Sequence, residues 1–241
     1  MEFIVENKPY TTRPSFKRLT GPLFNSQPDS RYIEQKLKEH VSTPGIAFQD
    51  TSADQAVKNT AARLNLSAEN IFELGALLEE DIVVMHHGRL SAAFVAFPSG
   101  WAPDQKAMKT LAEIHEPVAD GTDLIAASNR IADMMCNGQG PWHRYVWTVT
   151  ANPNLSNHPK YPSPEAKTVN DLYFRYEYQT FDTVTVGETS VFLIKTVVVP
   201  FKEYVDTQEK FCIIKNSIDS MSDNILTYKN LHKIKLLLQS Q

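Results

Sequence analysis

The sequence predicts an α+β fold, in which an antiparallel sheet of about five strands has helices inserted between its strands and on its flanks. The two segments with the strongest β-propensity, residues 171–181 and 189–201, follow each other closely with Gly187 between them. Apolar residues instead recur at helical spacing before residue 79 and again after Phe201. Since no linker separates these parts, we expect residues 1–241 to form a single domain with helical extensions at both ends.

The first part of the chain is predicted to be helical after an irregular start. Residues 1–29 should lack regular structure, because four prolines interrupt any periodic pattern. Three helices are then expected over residues 31–40, 53–64 and 68–78. Serine is a favoured N-cap residue, and the expected caps are Ser30, Ser52 and Ser67.

A β-hairpin and a helix are predicted next. Residues 82–86 and 89–98 flank a His87-Gly88 turn, which is typical of a hairpin with His86 and His87 exposed at its tip. A Pro-Ser-Gly-Trp turn follows, and then a helix that Pro117 should end at about His115 or Glu116.

The rest of the chain is predicted to contain one more helix, three strands and the C-terminal helices. Thr122 is expected to cap a helix that runs through Cys136 and stops before Gly138. A strand at residues 144–150, a proline-rich loop at 152–164, the two long strands and the C-terminal helices complete the chain.

Composition narrows the classes of function. A net charge of -4 and the absence of any run of Lys or Arg argue against binding to nucleic acid. The N-terminus lacks a signal-peptide pattern and no segment is apolar enough to span a membrane, so we expect a cytoplasmic protein. The two cysteines form no CxxC motif, which argues against an iron–sulfur site within this chain.

His115 is the first candidate functional residue. Met108, Leu111 and His115 recur at spacings of three and four, so they should share one face of the predicted helix. An imidazole turned inward is either a core residue bonded to a backbone carbonyl or a ligand to a metal or haem. The pattern alone leaves both interpretations open.

A polar row on a predicted strand is the second candidate. Side chains alternate between the two faces of a strand, so Arg175, Glu177 and Gln179 should share one face. The opposite face would carry Phe174, Tyr176, Tyr178 and Thr180. The polar row is either the solvated side of an antiparallel strand or the lining of an internal pocket.

Several short motifs occur in an order that resembles one known family. They are Glu80-Asp81, Pro98-Ser99-Gly100-Trp101, Lys106, Ile114-His115-Glu116-Pro117-Val118, Arg144 with Trp147, the segment from Arg175 to Phe181, Ile194-Lys195-Thr196 and Tyr228-Lys229-Asn230-Leu231. This set is similar to that of the haem-dependent oxidative N-demethylases, whose haem subunit belongs to the dimethylamine monooxygenase complex. The resemblance covers roughly residues 15–238.

The resemblance implies a PAS-like fold that holds haem b. His115 matches the iron ligand, and four further matching residues are expected near the cofactor: Trp101, Lys106, Arg144 and Trp147. Arg175, Glu177 and Gln179 would face the haem on the side where dioxygen and substrate meet. Arg175 would donate hydrogen bonds to the oxygen that the haem activates. Glu177 would accept a protonated amine, with Tyr176, Tyr178 or Trp147 adding cation–π contacts.

The implied reaction is the oxidative N-demethylation of a small methylated amine, such as dimethylamine, to a primary amine and formaldehyde. Electrons would come from NADPH through an external flavin/iron–sulfur reductase. The chain departs from the family pattern at Tyr178, Val146, Ala119 and Asn230. Two alternatives therefore stay open: a haem-PAS protein that binds a ligand or senses a gas without turnover, and a PAS-like module without haem.

Overall fold

The predicted strands join one antiparallel sheet in the computed structural model, which describes residues 2–241. The sheet has seven strands in the order β1-β5-β6-β7-β3-β4-β2. In chain order they are β1 (Lys17–Arg18), β2 (Ala47–Gln49), β3 (Asp81–His86), β4 (Arg89–Phe94), β5 (Trp142–Thr150), β6 (Tyr173–Thr185) and β7 (Thr189–Pro200). The α+β class is confirmed.

The predicted count of five strands is too low, because β1 and β2 were missed. Each contains only two or three residues and lies at an edge of the sheet. Segments this short show no alternation in the sequence and form only because a longer neighbour offers a free edge. The five longer strands correspond to the five that the sequence predicts.

Nine helices surround the sheet in the described part of the chain. They are α1 (Ser30–Ser42), α2 (Asp54–Arg63), α3 (Ile71–Ala76), α4 (Leu111–His115), α5 (Thr122–Cys136), α6 (Phe201–Tyr204), α7 (Gln208–Asp219), α8 (Asp223–Tyr228) and α9 (His232–Gln239). No helix within residues 2–241 has both the length and the apolar character needed to cross a bilayer.

The two faces of the sheet carry different helices. One face, which includes Ile82, Val84 and Leu193, packs against α2 and α3, and its other end, at Phe174, packs against α6 to α9. The opposite face carries Val83, Phe181 and Phe192 and packs against α4 and α5. The polar row of β6 lies on this second face, because Gln179 pairs with Ile194 and Phe181 pairs with Phe192.

The helix that leads to His115 is shorter than expected. Met108 has a positive φ of 60° and lies outside α4, so only Leu111 and His115 share its face. The cause is a tertiary pairing: Met108 N donates to Leu90 O at 2.8 Å and Leu90 N donates to Lys109 O at 2.9 Å. This pairing ties Met108 and Lys109 to β4, so α4 begins only after Thr110, whose side chain forms a capping box with Glu113.

Several cap predictions are also wrong. The N-caps of α1, α2, α3 and α5 are Asp29, Ala53, Asn70 and Gly121 in place of the expected Ser30, Ser52, Ser67 and Thr122. Asp29 and Asn70 do cap with their side chains, but one and three residues away from the predicted serines. The end of α5 at Cys136 matches the prediction, and Gly138 follows it with a φ of 76°.

His86 differs from the expectation of an exposed loop residue. It ends β3, is half-buried, and its Nδ1 lies 2.8 Å from Thr189 Oγ1 on the paired strand. His87 does lie exposed in the turn, with a φ of 47°.

Candidate functional site

A large cavity opens between the second face of the sheet and helices α4 and α5 and continues past β5 toward the C-terminal helices. Its volume is about 1040 Å³, slightly above the range of about 300–1,000 Å³ that is typical of small-molecule sites. All eight residues that the sequence analysis singles out line it: Trp101, Lys106, His115, Arg144, Trp147, Arg175, Glu177 and Gln179. The polar row of β6 therefore lines a pocket, with Arg175 only 3% and Gln179 only 5% exposed.

His115 is the last residue of α4. Its side chain is half-buried and lines this cavity. Burial, followed by the charges of Arg144 and Lys106, lowers the pKa of its imidazole to about 4. The carbonyl of Leu111, one turn earlier, opposes this shift, but the buried Nδ1 makes no hydrogen bond of normal geometry within residues 2–241. The ring is therefore neutral at physiological pH, as a metal ligand must be.

Two cations beside His115 lack a carboxylate partner in the described part of the chain. Lys106 Nζ donates to the carbonyl of Ile114 at 3.1 Å, and Arg144 Nε donates to Gln179 Oε1 at 2.6 Å. Burial lowers the pKa of both, that of Arg144 to about 10. Arg144 is half-buried, and part of its surface lines the cavity. A cavity with two such cations favours a ligand that carries negative charge.

These features fit haem b. Its iron needs an imidazole nitrogen, and the neutral ring of His115 lines the cavity. Its two propionates need cationic partners, and Lys106 and Arg144 are cations that have no carboxylate partner within residues 2–241. Its porphyrin needs an apolar lining, which Trp101 and Ile114 contribute where they pack beside Val83 and Met85.

A chain of hydrogen bonds connects the polar row. Arg175 Nε donates to Ser99 Oγ at 2.9 Å, and the Ser99 hydroxyl bonds to Glu177 Oε1. Gln179 Nε2 donates to Glu177 Oε2 at 2.6 Å, and Arg144 donates to the same Gln179 amide. Glu177 is thus the centre of the network, with both carboxylate oxygens bonded.

The guanidinium of Arg175 is fully engaged by protein groups. Besides Ser99, it donates to the carbonyl of Leu155 at 2.6 Å and to the carbonyl of Phe97 at 2.8 Å, with longer contacts to Asn154 and Pro98. It therefore ties the turn after β4 to the loop after β5. Donation from Arg175 to a bound oxygen would require one of these bonds to break.

Three aromatic residues lie on the wrong side of the sheet for the expected cation–π contacts. Tyr176 and Tyr178 project from the face of β6 opposite Glu177, and Trp147 projects from the face of β5 opposite Arg144. Trp147 borders the cavity but stacks on Phe174 at 5.7 Å. The predicted contact of Tyr176 or Tyr178 with an amine at Glu177 is wrong, because alternate residues face opposite sides.

Two parts of the site were not anticipated. Ser99 belongs to a motif that was recognised without a role for its hydroxyl. Residues 4–17 cross the cavity, and the Phe16 ring lies 5.3 Å from the Arg144 guanidinium. No local pattern could reveal this, because the segment is irregular and its position depends on distant contacts.

The comparison with known protein families gives a match over most of the chain. A family model described as haem-dependent oxidative N-demethylase, alpha subunit-like, matches residues 38–238, which include all eight predicted site residues. No curated protein matches the chain.

Proposed function

Because the chain belongs to the haem-dependent oxidative N-demethylase, alpha subunit-like family, we propose that it binds haem b and demethylates a small methylated amine oxidatively. The single observation that supports this most is the neutral, half-buried ring of His115 in a cavity where, within the described residues, Lys106 and Arg144 have no carboxylate partner. The five long strands, with α4 and α5 inserted between the second and third, also suit a PAS-like cofactor pocket.

We assign the cofactor contacts as follows. His115 would ligate the iron, Lys106 and Arg144 would pair with the propionates, and Trp101 would pack against the porphyrin. When bound, haem b supplies the activation of dioxygen. The electrons would come from NADPH through a separate flavin/iron–sulfur reductase, in keeping with a family named for one subunit of a larger enzyme.

Glu177 would bind the amine. A carboxylate offers about four lone-pair sites, and Ser99 and Gln179 use only two of them, so an ammonium can still donate to it. Such a contact would hold the N-methyl group at a fixed position within the cavity. Oxygen insertion into a methyl C–H bond consumes dioxygen, two electrons and two protons and releases water. The resulting carbinolamine loses formaldehyde to leave the amine with one methyl group fewer, methylamine in the case of dimethylamine.

Arg175 would position two chain segments that border the proposed amine site. Its donors hold the Phe97–Ser99 turn and the Asn154–Leu155 loop together, which keeps Ser99 within reach of Glu177. Replacing it would therefore disturb amine binding more than haem binding.

A ligand-binding or gas-sensing haem protein without turnover is the second candidate. Val146 lies directly opposite Glu177 across β5 and β6, so an apolar side chain stands beside the carboxylate where the resemblance leads one to expect an amide. A protein with fewer polar groups at the amine site could still bind haem without catalysing the demethylation.

An absorption spectrum of the haem-loaded protein tests these proposals. We expect a Soret band that His115→Ala abolishes and that dimethylamine shifts, together with formaldehyde production under a reducing system. His87→Asn is the matched control, because His87 is exposed, lies outside the cavity and has a φ that asparagine adopts readily. A Soret band without any amine response or formaldehyde would favour the second candidate. Absence of haem binding by the wild-type protein would refute both.

A further inference from the structure

Three features of the structure hold Ser99 in place. Ser99 lies in the turn after β4, where Gly100 adopts a φ of 80° that reverses the chain. The backbone of this turn pairs with Asn157: Gly100 N donates to its carbonyl and Asn157 N donates to the carbonyl of Pro98, both at 3.0 Å. The side chain of Arg175 supplies the third contact.

The chemistry of the end groups sets the direction of every bond in the network. Arginine has donors only, so Ser99 Oγ must accept from Arg175, and its one hydrogen is left for Glu177. At the other end Arg144 also donates, which places Gln179 Oε1 toward Arg144 and Gln179 Nε2 toward Glu177. Both bonds are therefore donated into the carboxylate.

This direction matters for the charge of Glu177. An ionised carboxylate only accepts hydrogen bonds, so it satisfies both donors at once. A protonated carboxyl group would accept the same two hydrogen bonds more weakly, because neither bond would then be assisted by a negative charge on the acceptor. The two donated hydrogen bonds therefore suit a carboxylate at Glu177 and fix its orientation.

We propose that Ser99 is a positioning residue of the amine site, which holds Glu177 as an oriented anion ready for an ammonium group. This inference rests on the proposed function. Charge-assisted hydrogen bonds that are formed before the ligand arrives reduce the cost of ordering the site on binding. Ser99 acts through Glu177 and does not itself contact the reacting atoms.

Three variants test the role of Ser99 in the haem-loaded protein. Ser99→Ala removes the hydroxyl, Ser99→Thr retains it, and Ser156→Ala is the matched control. The Ser156 hydroxyl is buried in the neighbouring loop and makes no hydrogen bond within the described residues. The measurements are the Kd of dimethylamine from the Soret shift and the haem content from the intensity of the same band.

We expect Ser99→Ala to raise the Kd of dimethylamine about tenfold, which corresponds to about 1.4 kcal/mol, with haem content unchanged. Ser99→Thr should restore most of the affinity, and Ser156→Ala should behave as the wild type. A purely structural role of the hydroxyl would lower haem content and folding stability and leave the Kd of the folded fraction unaltered, which would overturn the inference.

A second variant serves if Ser99→Ala does not fold. Gln179→Met removes the other donor to Glu177 at similar volume, and the proposal requires it to weaken amine binding as well. An unchanged Kd in the Gln179→Met protein overturns the inference. If the wild-type protein shows no amine response at all, the proposed function fails. If the wild type responds and the variants respond equally, only the role of Ser99 fails.

Discussion

At the scale of single residues, the state of His115 follows from its surroundings. Burial and two neighbouring cations disfavour the imidazolium form, and the nearest carbonyl does not form a hydrogen bond strong enough to offset them. A structural core histidine is normally bonded through at least one ring nitrogen. His115 differs, because within the described residues its buried Nδ1 makes no hydrogen bond of normal geometry, while its neutral ring lines the cavity.

The pH dependence of stability should report this state in the cofactor-free protein. The pKa of His115 falls from 6.5 in the unfolded chain to about 4 in the folded one, so the unfolded chain binds more protons between these values. The stabilising contribution is complete above pH 6.5 and is lost as the pH falls toward 4. In urea denaturation, His115→Ala should therefore lose less stability over this window than the wild type.

The exposed His87 provides the control for that measurement. His87→Asn should retain the pH dependence of the wild type, because His87 is exposed and the change leaves His115 and its surroundings untouched. An equal loss of stability in the wild type and in His115→Ala between pH 6.5 and 4 would contradict a neutral His115.

At the scale of elements, a fully buried lysine on α1 connects this helix to α3 and, through Asp81, to the turn that carries Ser99. Lys36 on α1 is 0% exposed, and its Nζ donates to the carbonyls of Gly75, Leu78 and Glu80. Asp81, 3.9 Å from this Nζ, accepts from the backbone N–H groups of Ala96 and Phe97. Through Phe97, whose carbonyl accepts from Arg175, this pair anchors the turn that carries Ser99.

Burial opposes both charges of this pair, since it lowers the pKa of Lys36 and raises that of Asp81. We expect Lys36→Met to reduce the free energy of unfolding by about 3–5 kcal/mol, because it leaves the Asp81 carboxylate buried without its partner. Lys38→Met is the matched control: it lies on the same helix, but its side chain is exposed. Urea denaturation compares the two, and equal stabilities would show that Lys36 contributes nothing.

At the scale of the whole molecule, an N-terminal segment that precedes the family match in the sequence covers the cavity. Residues 4–17 line the cavity, whereas the match begins at residue 38. Tyr10 N donates to Ser220 Oγ on one side and Arg13 pairs with Asp123 on the other. The segment thus runs from the C-terminal helices to α5, with Phe16 against Phe181 and Arg144.

Closure by this segment should slow the loss of haem. We expect Phe16→Ala to increase the rate of haem transfer to an excess of apomyoglobin several-fold while the Soret position stays the same, since the iron ligand is untouched. Phe3→Ala is the control, because Phe3 directly precedes this segment and packs against Tyr204. Equal transfer rates in all three proteins would rule out a role of Phe16 in retention.

Much of the fold and part of the site could be predicted from local patterns. The alternation of residues 174–181 places Arg175, Glu177 and Gln179 on one face whatever the rest of the chain does, because the side-chain period of a strand is two. The end of α5 at Cys136 and the glycine after it were also readable, because helical periodicity and a glycine stop are local signals. The pattern did not say whether the polar face met water or a pocket.

The sequence by itself determined the α+β class, the five long strands and the identity of the residues on each face, because these depend on periodicities within a few residues. Only the tertiary structure decided that α4 begins at Leu111, that Lys36 is buried, that Trp147 faces away from Arg144 and that Ser99 bonds to Glu177. Each of these depends on contacts between segments far apart in the chain, and no local pattern encodes such a contact.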